Sequence, residues 1–139
     1  MSKRRVVVTG LGLLSPVGID VASSWEAVLA GRSGIGPITT FDASEFPARI
    51  AGSVPSFSLD PFIPPRDARR MDPFMQYGVV AALQAFRDSG LVVTDANRER
   101  IGVNMGAGMG GLSTIEASVE KFLETRSPKK VSPFFVPST

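Results

Sequence analysis

The 139 residues contain no cysteine and no histidine. These residues therefore offer no disulfide, no thiolate nucleophile and no imidazole base. A serine nucleophile needs a base, and no lysine stands at a recognisable spacing from Ser15, Ser113 or Ser138. We interpret these three as turn and cap residues. Carboxylates do not cluster at ligand spacing, so we predict no metal site and no cofactor.

The chain also lacks a strong charge of one sign and any long apolar run. Its 15 basic and 13 acidic residues give a net charge of +2, which is too balanced for a general nucleic-acid binder. No apolar run is long enough to cross a bilayer. The valines after the basic N-terminus stop at Thr9-Gly10, too early for a signal peptide. We predict a cytoplasmic protein that binds neither nucleic acid nor membrane.

Hydrophobic residues nonetheless make up 43% of the chain, and their patterns predict an α/β layered fold. A continuous β-branched run predicts a buried strand over residues 5–10, and a second short buried strand is predicted over residues 101–105. Asp20 is a good N-cap for a first helix, and Asp72-Pro73 starts a second helix that is apolar nearly all round and should be buried on all sides. Residues 113–116 form a capping-box pattern for a third helix.

Residues 32–71 between the first two helices are irregular and rich in glycine, serine and proline. One short strand is predicted near residues 49–54. A connection of this length is uncommon in a compact domain unless it is functional or contacts another surface.

Two glycine-rich loops each resemble part of a dinucleotide-binding fingerprint. Gly10-Leu11-Gly12 follows a predicted strand, but Ser15 stands where the third glycine belongs and the helix begins only near Asp20. The loop over residues 106–111 fails in a similar way. We therefore rank a phosphate low for this second loop and favour an acyl chain or a second protein backbone beside it.

The densest basic cluster inside the chain is Arg66, Arg69 and Arg70, with Lys129 and Lys130 as its second half. Positive charge near a helix start is mildly unfavourable, because it opposes the helix dipole. The cluster therefore indicates a use for the charge, such as an acidic partner surface. A solvated helix start is the alternative interpretation.

Met109, Phe134 and Phe135 form the second candidate group. Core packing is the usual role of such side chains. Gly108 and Gly110 flank Met109 and leave space on either side, which a simple core would fill. The wall of an apolar tunnel is therefore the functional interpretation.

The whole chain resembles the β-ketoacyl-acyl carrier protein synthases, and it is most similar to the elongating type II members of bacterial fatty acid synthesis. Five ordered motifs carry the resemblance. They are Val6-Val7-Val8-Thr9-Gly10-Leu11-Gly12 with Ser15-Pro16-Val17-Gly18, then Leu29-Ala30-Gly31-Arg32-Ser33-Gly34-Ile35, Arg70-Met71-Asp72-Pro73-Phe74, Asp88-Ser89-Gly90-Leu91 and Ser132-Pro133-Phe134-Phe135-Val136-Pro137-Ser138-Thr139.

The resemblance implies a partial thiolase-like α/β fold, with residues 1–139 forming an incomplete N-terminal domain that includes the irregular insertion 32–71. Family members are homodimers that condense an acyl group, held on a cysteine, with malonyl-acyl carrier protein, assisted by two histidines. Because both residue types are missing, we expect no catalytic residue here and an N-terminal fragment that ends before the nucleophile strand and is inactive alone. A non-catalytic dimerising subunit, such as a chain-length factor, is the alternative.

The resemblance also implies roles for two groups of residues. By position, Met109 matches the residue at the base of the acyl pocket, beside Gly108, and Phe134 and Phe135 match aromatics that reach this pocket across the dimer interface. Arg66, Arg69 and Arg70 match the basic patch that docks acyl carrier protein. Lys129 and Lys130 match the continuation of this patch, which the partner subunit contributes.

Overall fold

The computed structural model describes residues 3–138 as helices joined by long irregular segments, with one small sheet. The α-helices are α1 (Val21–Leu29), α2 (Pro65–Ala68), α3 (Pro73–Asp88) and α4 (Leu112–Thr125). Short 3₁₀-helices span Arg98–Arg100, Pro128–Lys130 and Val136–Ser138. Strands β1 (Ile35–Pro37) and β2 (Ile50–Gly52) pair antiparallel, and β2 confirms the short strand predicted in the insertion.

The described chain divides into two compact units. Residues 3–58 and 81–91 form the first unit, and residues 59–80 and 92–138 form the second. The buried apolar side chains of the described residues are few, with Ala27 and Ala43 in the first unit and Ile63 and Val80 in the second. In this part of the chain no helix is both long and apolar enough to span a membrane.

Helix α1 begins at the predicted cap. The Asp20 carboxylate accepts hydrogen bonds of 2.7 Å from both the amide and the hydroxyl of Ser23. The hydrogen bond from the Ser23 backbone amide is the main reason that the pKa of Asp20 is lowered, because it stabilises the charged carboxylate. Gly31, with a φ of 64°, ends the helix in the left-handed conformation that favours glycine.

The prediction of a strand over residues 5–10 is wrong. The segment is irregular, and Val6 is 89% exposed. Just beyond it, the Leu11 amide donates to Asp88 Oδ2 at 2.8 Å, and the Leu13 amide donates to Gln84 Oε1 at 3.1 Å. β-branched residues favour an extended backbone, but a strand exists only beside another strand, and the described residues place none there.

The glycines of the first loop allow the backbone to lie directly against α3. A Cβ atom on Gly10 would collide with the carbonyl oxygen of Ala85, and one on Gly12 would collide with that of Ala81. Close backbone packing therefore accounts for both glycines without a phosphate. Ser15 shares a hydrogen bond of 2.8 Å with the Ser24 hydroxyl, which confirms that it is a turn residue.

Two further predictions about elements are wrong for related reasons. Residues 101–105 form no strand, and Val103 is 82% exposed. Helix α3 starts at Pro73 as predicted, and Gly90, with a φ of 63°, follows its end, yet Val80 is its only buried residue among those described. Apolar sequence favours burial, but each face needs its own covering layer, and the described chain does not cover every face.

The capping box predicted for α4 does not form. The helix begins at Leu112 with Gly111 in the cap position and no side-chain cap hydrogen bond. The Thr114 hydroxyl instead donates to the carboxylate of Asp72. Ser113, which the pattern would use as the cap, therefore lies inside the first turn of the helix.

Candidate docking cleft

The second unit contains a cleft of about 620 Å³ lined by three segments. These are the turn between α2 and α3, the start of α4 with its following turns, and the stretch around the last two 3₁₀-helices. The lining residues are Arg69, Arg70, Met71, Asp72, Pro73, Ser113, Thr114, Ala117, Ser118, Lys121, Lys130, Val131, Ser132, Phe134 and Ser138. We call this set of residues the docking cleft.

The docking cleft is strongly cationic. Its walls carry four cations, Arg69, Arg70, Lys121 and Lys130, and one carboxylate, Asp72, so its net charge is +3. Among the described residues, Arg69, Arg70 and Lys130 form no ion pair. An acidic ligand could therefore pair with these three cations without first displacing an internal partner.

Hydrogen bonds of the docking cleft tie its three segments together. Thr114 Oγ1 donates to Asp72 Oδ2 at 2.7 Å, which joins α4 to the turn before α3. Ser138 Oγ donates to the Arg70 carbonyl at 2.9 Å, and Ser138 is 4% exposed. A Cβ atom on Gly111 would collide with the Ser138 carbonyl oxygen, so these backbones are in direct contact. The segments that carry the cations are therefore held together by hydrogen bonds and close backbone contact.

Arg70 and Phe134, which the sequence assigned to different sites, lie together. The guanidinium carbon of Arg70 lies 5.0 Å from the centroid of the Phe134 ring, within the range of a cation–π contact. The Phe134 amide donates to Ser132 Oγ at 3.1 Å, which fixes the local backbone. Phe134 therefore orients a cation in the docking cleft.

The structure separates the five predicted docking residues into two groups. Arg69, Arg70 and Lys130 line the docking cleft, whereas Arg66 on α2 and Lys129 on the 3₁₀-helix Pro128–Lys130 are exposed outside its lining. The division does not test whether all five bind a carrier protein, so that assignment stays a prediction.

Lys121 is a cleft residue that the sequence analysis did not single out. It follows Thr114 by seven residues and Ser118 by three, the spacing that places side chains on one helical face. The polar face of α4 therefore lines the docking cleft. The sequence shows this spacing but not that the polar face of α4 lies toward the turn carrying Arg69 and Arg70. Lys121 could therefore not be identified from the sequence alone.

The residues predicted for the acyl pocket do not gather in the docking cleft. Met109 is 73% exposed, and a Cβ atom on Gly108 would meet open space. Phe134 lines the docking cleft, and Phe135 is half-buried. Met109 lines neither the docking cleft nor a second, mainly apolar cavity. The assignment of these residues to an acyl pocket stays a prediction.

That second cavity has a volume of about 230 Å³ and lies between α3 and the second glycine loop. It is lined by Phe74, Met75, Gly78, Val79, Met105, Gly106 and Ala107. A Cβ atom on Gly78 would lie 3.4 Å from the terminal methyl carbon of Met105, so this glycine leaves room for the methionine. The glycine loop therefore has an apolar hollow beside it.

Residues 3–138 include no group of three or more His, Cys, Asp or Glu side chains that could hold a metal ion. Ser138 and Thr114 are both committed to internal hydrogen bonds. What the docking cleft can do chemically is bind an anionic surface or group.

Comparison with known proteins supports the resemblance seen in the sequence. The family described as "Beta-ketoacyl synthase, N-terminal domain" matches residues 3–139. A protein of Vibrio cholerae named 3-oxoacyl-[acyl-carrier-protein] synthase 2 is 55% identical over the whole chain, which covers 33% of that relative. A protein of the same name from Coxiella burnetii is 47% identical over 99% of the chain and 33% of the relative.

A solved structure supports the fold as well. The structure titled "The ishigamide ketosynthase/chain length factor" superposes with a TM-score of 0.73 at 31% identity, covering 97% of this chain and 34% of that one. The agreement bears out the partial thiolase-like α/β fold that the resemblance implied. The chain spans about a third of the length of the relatives it matches. By sequence and by fold, the chain therefore belongs to the β-ketoacyl synthase family, whose N-terminal domain it matches from residue 3 to residue 139.

Proposed function

We propose that this chain is the N-terminal third of a condensing enzyme of type II fatty acid synthesis. In the reaction, an acyl group is transferred to a cysteine, and malonyl-acyl carrier protein loses carbon dioxide as its carbanion attacks the acyl carbonyl. The product is a 3-oxoacyl-carrier protein two carbons longer. Relatives named 3-oxoacyl-[acyl-carrier-protein] synthase 2, at 47–55% identity, support this reaction.

The 139 residues contribute binding rather than chemistry to this reaction. They contain no cysteine and no histidine, so the nucleophile and the histidines that assist decarboxylation belong to the remainder of the proposed enzyme. We further propose that the enzyme is a cytoplasmic homodimer. Exposed apolar side chains such as Val6 and Val103 support an interface or a further layer of structure over these segments.

The observation that carries the proposal is the set of unpaired cations in the docking cleft. Arg69, Arg70 and Lys130 converge from two segments, and none of the three forms an ion pair with a described residue. Acyl carrier protein is acidic, so its carboxylates complement these cations. Such pairing mainly raises the association rate and the specificity, and salt weakens it. Arg66 and Lys129, exposed beside the docking cleft, would extend the contact.

The test is charge reversal in the full-length protein. Arg69→Glu and Lys130→Glu should each raise the Kd for acyl carrier protein by about tenfold at low salt, and by less at high salt. The KM for the carrier-bound substrate should rise with little change in kcat, because the reacting groups are untouched. Fluorescence anisotropy with labelled carrier protein and steady-state kinetics measure the two effects.

Arg100→Glu is the matched control, because Arg100 is exposed in the second unit and does not line the docking cleft. It makes the same charge change and should leave Kd within about twofold, since only long-range repulsion is added. If the control weakens binding as much as Arg69→Glu does, the docking cleft has no special role and the proposal is wrong.

A non-catalytic subunit is the second candidate, because the similar solved structure is titled as a ketosynthase/chain length factor pair. The two candidates differ in turnover. A full-length homodimer that forms 3-oxoacyl product from acyl- and malonyl-carrier protein is a condensing enzyme. A protein that forms product only with an active synthase added is a partner subunit.

A further inference from the structure

We propose that Lys121 extends the docking surface for the acidic carrier protein from the basic turn onto helix α4. This inference rests on the proposed docking function and adds a residue and a helix face to it. Lys121 lines the docking cleft together with Arg69, Arg70 and Lys130.

The face of α4 that carries Lys121 is fixed against the docking cleft. Thr114 on the same face is held by its 2.7 Å hydrogen bond to Asp72, which follows the basic turn. Ser118, one turn later, donates to the Thr114 carbonyl at 2.6 Å, so its hydroxyl is directed along the helix. Ala117 adds only a methyl group to the wall. Lys121 is therefore the long side chain that this face presents to a partner.

Lys121 is held in position by one weak ion pair, which a binding partner can replace. Its Nζ lies 3.3 Å from Glu124 Oε2, and the two side chains are 53% and 65% exposed. An exposed pair of this kind stabilises a protein by only about 0.2–1 kcal/mol. A carboxylate of the partner can therefore replace Glu124 at little cost. Glu124 acts as an internal competitor for the same ammonium group.

An acidic protein surface fits the docking cleft better than a free phosphate does. The hydroxyls of Thr114, Ser118 and Ser138 all donate to acceptors within the protein. The donors of the lining that remain for a ligand are the four cationic side chains and the hydroxyls of Ser113 and Ser132. They come from three segments around a cleft of about 620 Å³, which suits several carboxylates spread over a surface.

The first experiment measures carrier-protein affinity of the full-length protein by fluorescence anisotropy. Lys121→Met should raise Kd by about threefold, and Lys121→Glu by about tenfold at low salt. Arg100→Glu should leave Kd within about twofold. In both Lys121 variants the KM for the carrier-bound substrate should rise together with Kd, since the lysine contacts the partner.

The second experiment gives an effect of the opposite sign. Glu124→Gln removes the competitor and should lower Kd by about threefold. Glu120→Gln makes the same charge change on the same helix at a residue that does not line the docking cleft, and should lower Kd by less. When the protein also carries Lys121→Met, Glu124→Gln should lower Kd no more than Glu120→Gln does.

The outcomes separate this inference from the docking function on which it rests. If Arg69→Glu weakens binding and both Lys121 variants bind normally, the extension onto α4 is wrong and the docking function stands. If none of these variants weakens binding, the docking function itself is wrong. Competition by inorganic phosphate at constant ionic strength, lost in Lys121→Met, would overturn the protein surface as the occupant.

Discussion

The Thr114 hydroxyl donates a hydrogen bond of 2.7 Å to Oδ2 of Asp72, which lies 42 residues earlier in the chain. The bond joins the start of α4 to the residue that precedes α3. Arg70 lies two residues before Asp72, and its carbonyl accepts a second long-range bond from Ser138. The position of the basic turn is therefore set by residues far away in the sequence.

Removing the Thr114 hydroxyl tests the importance of this bond. Thr114→Val keeps the shape of the side chain and should lower the free energy of unfolding by about 1–2 kcal/mol, because the half-buried Asp72 carboxylate loses a donor. A double-mutant cycle with Asp72→Ala, measured by urea denaturation of the full-length protein, should give a coupling energy of about 1 kcal/mol between Thr114 and Asp72. Ser113→Ala, in the same helical turn, is the control and should change stability by less than about 0.5 kcal/mol.

The two ends of the second glycine loop should respond differently to alanine. Gly111→Ala should destabilise the protein by about 2 kcal/mol or more, because its new methyl group would meet the Ser138 carbonyl oxygen, a backbone atom that cannot rotate away. Gly106→Ala places its methyl group in open space and should change stability by less than about 0.5 kcal/mol. Equal urea midpoints for the two variants would contradict the close contact at Gly111.

The N-cap at Asp20 predicts a pH-dependent stability. The pKa of Asp20 is lowered from 3.8, mainly by the Ser23 amide, so its contribution is fully present above 3.8 and is lost as the pH falls through the lower value in the folded state. Asp20→Ala should cost about 1 kcal/mol at neutral pH. The difference between wild type and Asp20→Ala should shrink as acid protonates the carboxylate. Asparagine caps a helix without titrating, so the stability difference between Asp20→Asn and Asp20→Ala should stay constant over the same pH range.

If Met109 lies at the base of the acyl pocket, substituting it should change the acyl-chain length that the enzyme prefers. Methionine is unbranched and adapts to different ligands, so we expect it to act as a soft gate. In the full-length protein, Met109→Trp should suppress condensation of long acyl chains and spare short ones, whereas Met109→Leu should keep the original profile. Product analysis with acyl-carrier proteins of increasing length measures the effect. A tryptophan variant with the original profile and a normal melting temperature would exclude the gate.

The features predicted correctly from the sequence depend on short-range chemistry. Asp20 caps a helix because its carboxylate reaches an amide three residues away, and Gly31 and Gly90 follow helix ends because they adopt positive φ at low cost. Pro73 starts α3 for a similarly local reason. The family motifs are also read along the chain, and they identified the fold before any tertiary contact was known.

The predictions that failed required a partner distant in the sequence. The valines near Val6 and Val103 have the propensity of strands, but the described residues place no neighbouring strand beside them to accept and donate the ladder hydrogen bonds. At α4 the helix begins one residue before Ser113, which the capping box needs as its cap, and its first turn is contacted from outside by Asp72 at Thr114 and by Ser138 at Gly111. A local pattern gives way where long-range packing offers a stronger set of contacts.

The sequence by itself determined the absence of a cysteine or histidine from these 139 residues, the family, and most of the cations that we propose for docking. Only the tertiary structure decided which cations share the docking cleft. It joined Arg70 to Phe134 and turned the face of α4 that carries Lys121 toward Arg69. The physical reason is that side-chain charge is a local property, whereas the distance between two charges depends on how the segments between them fold.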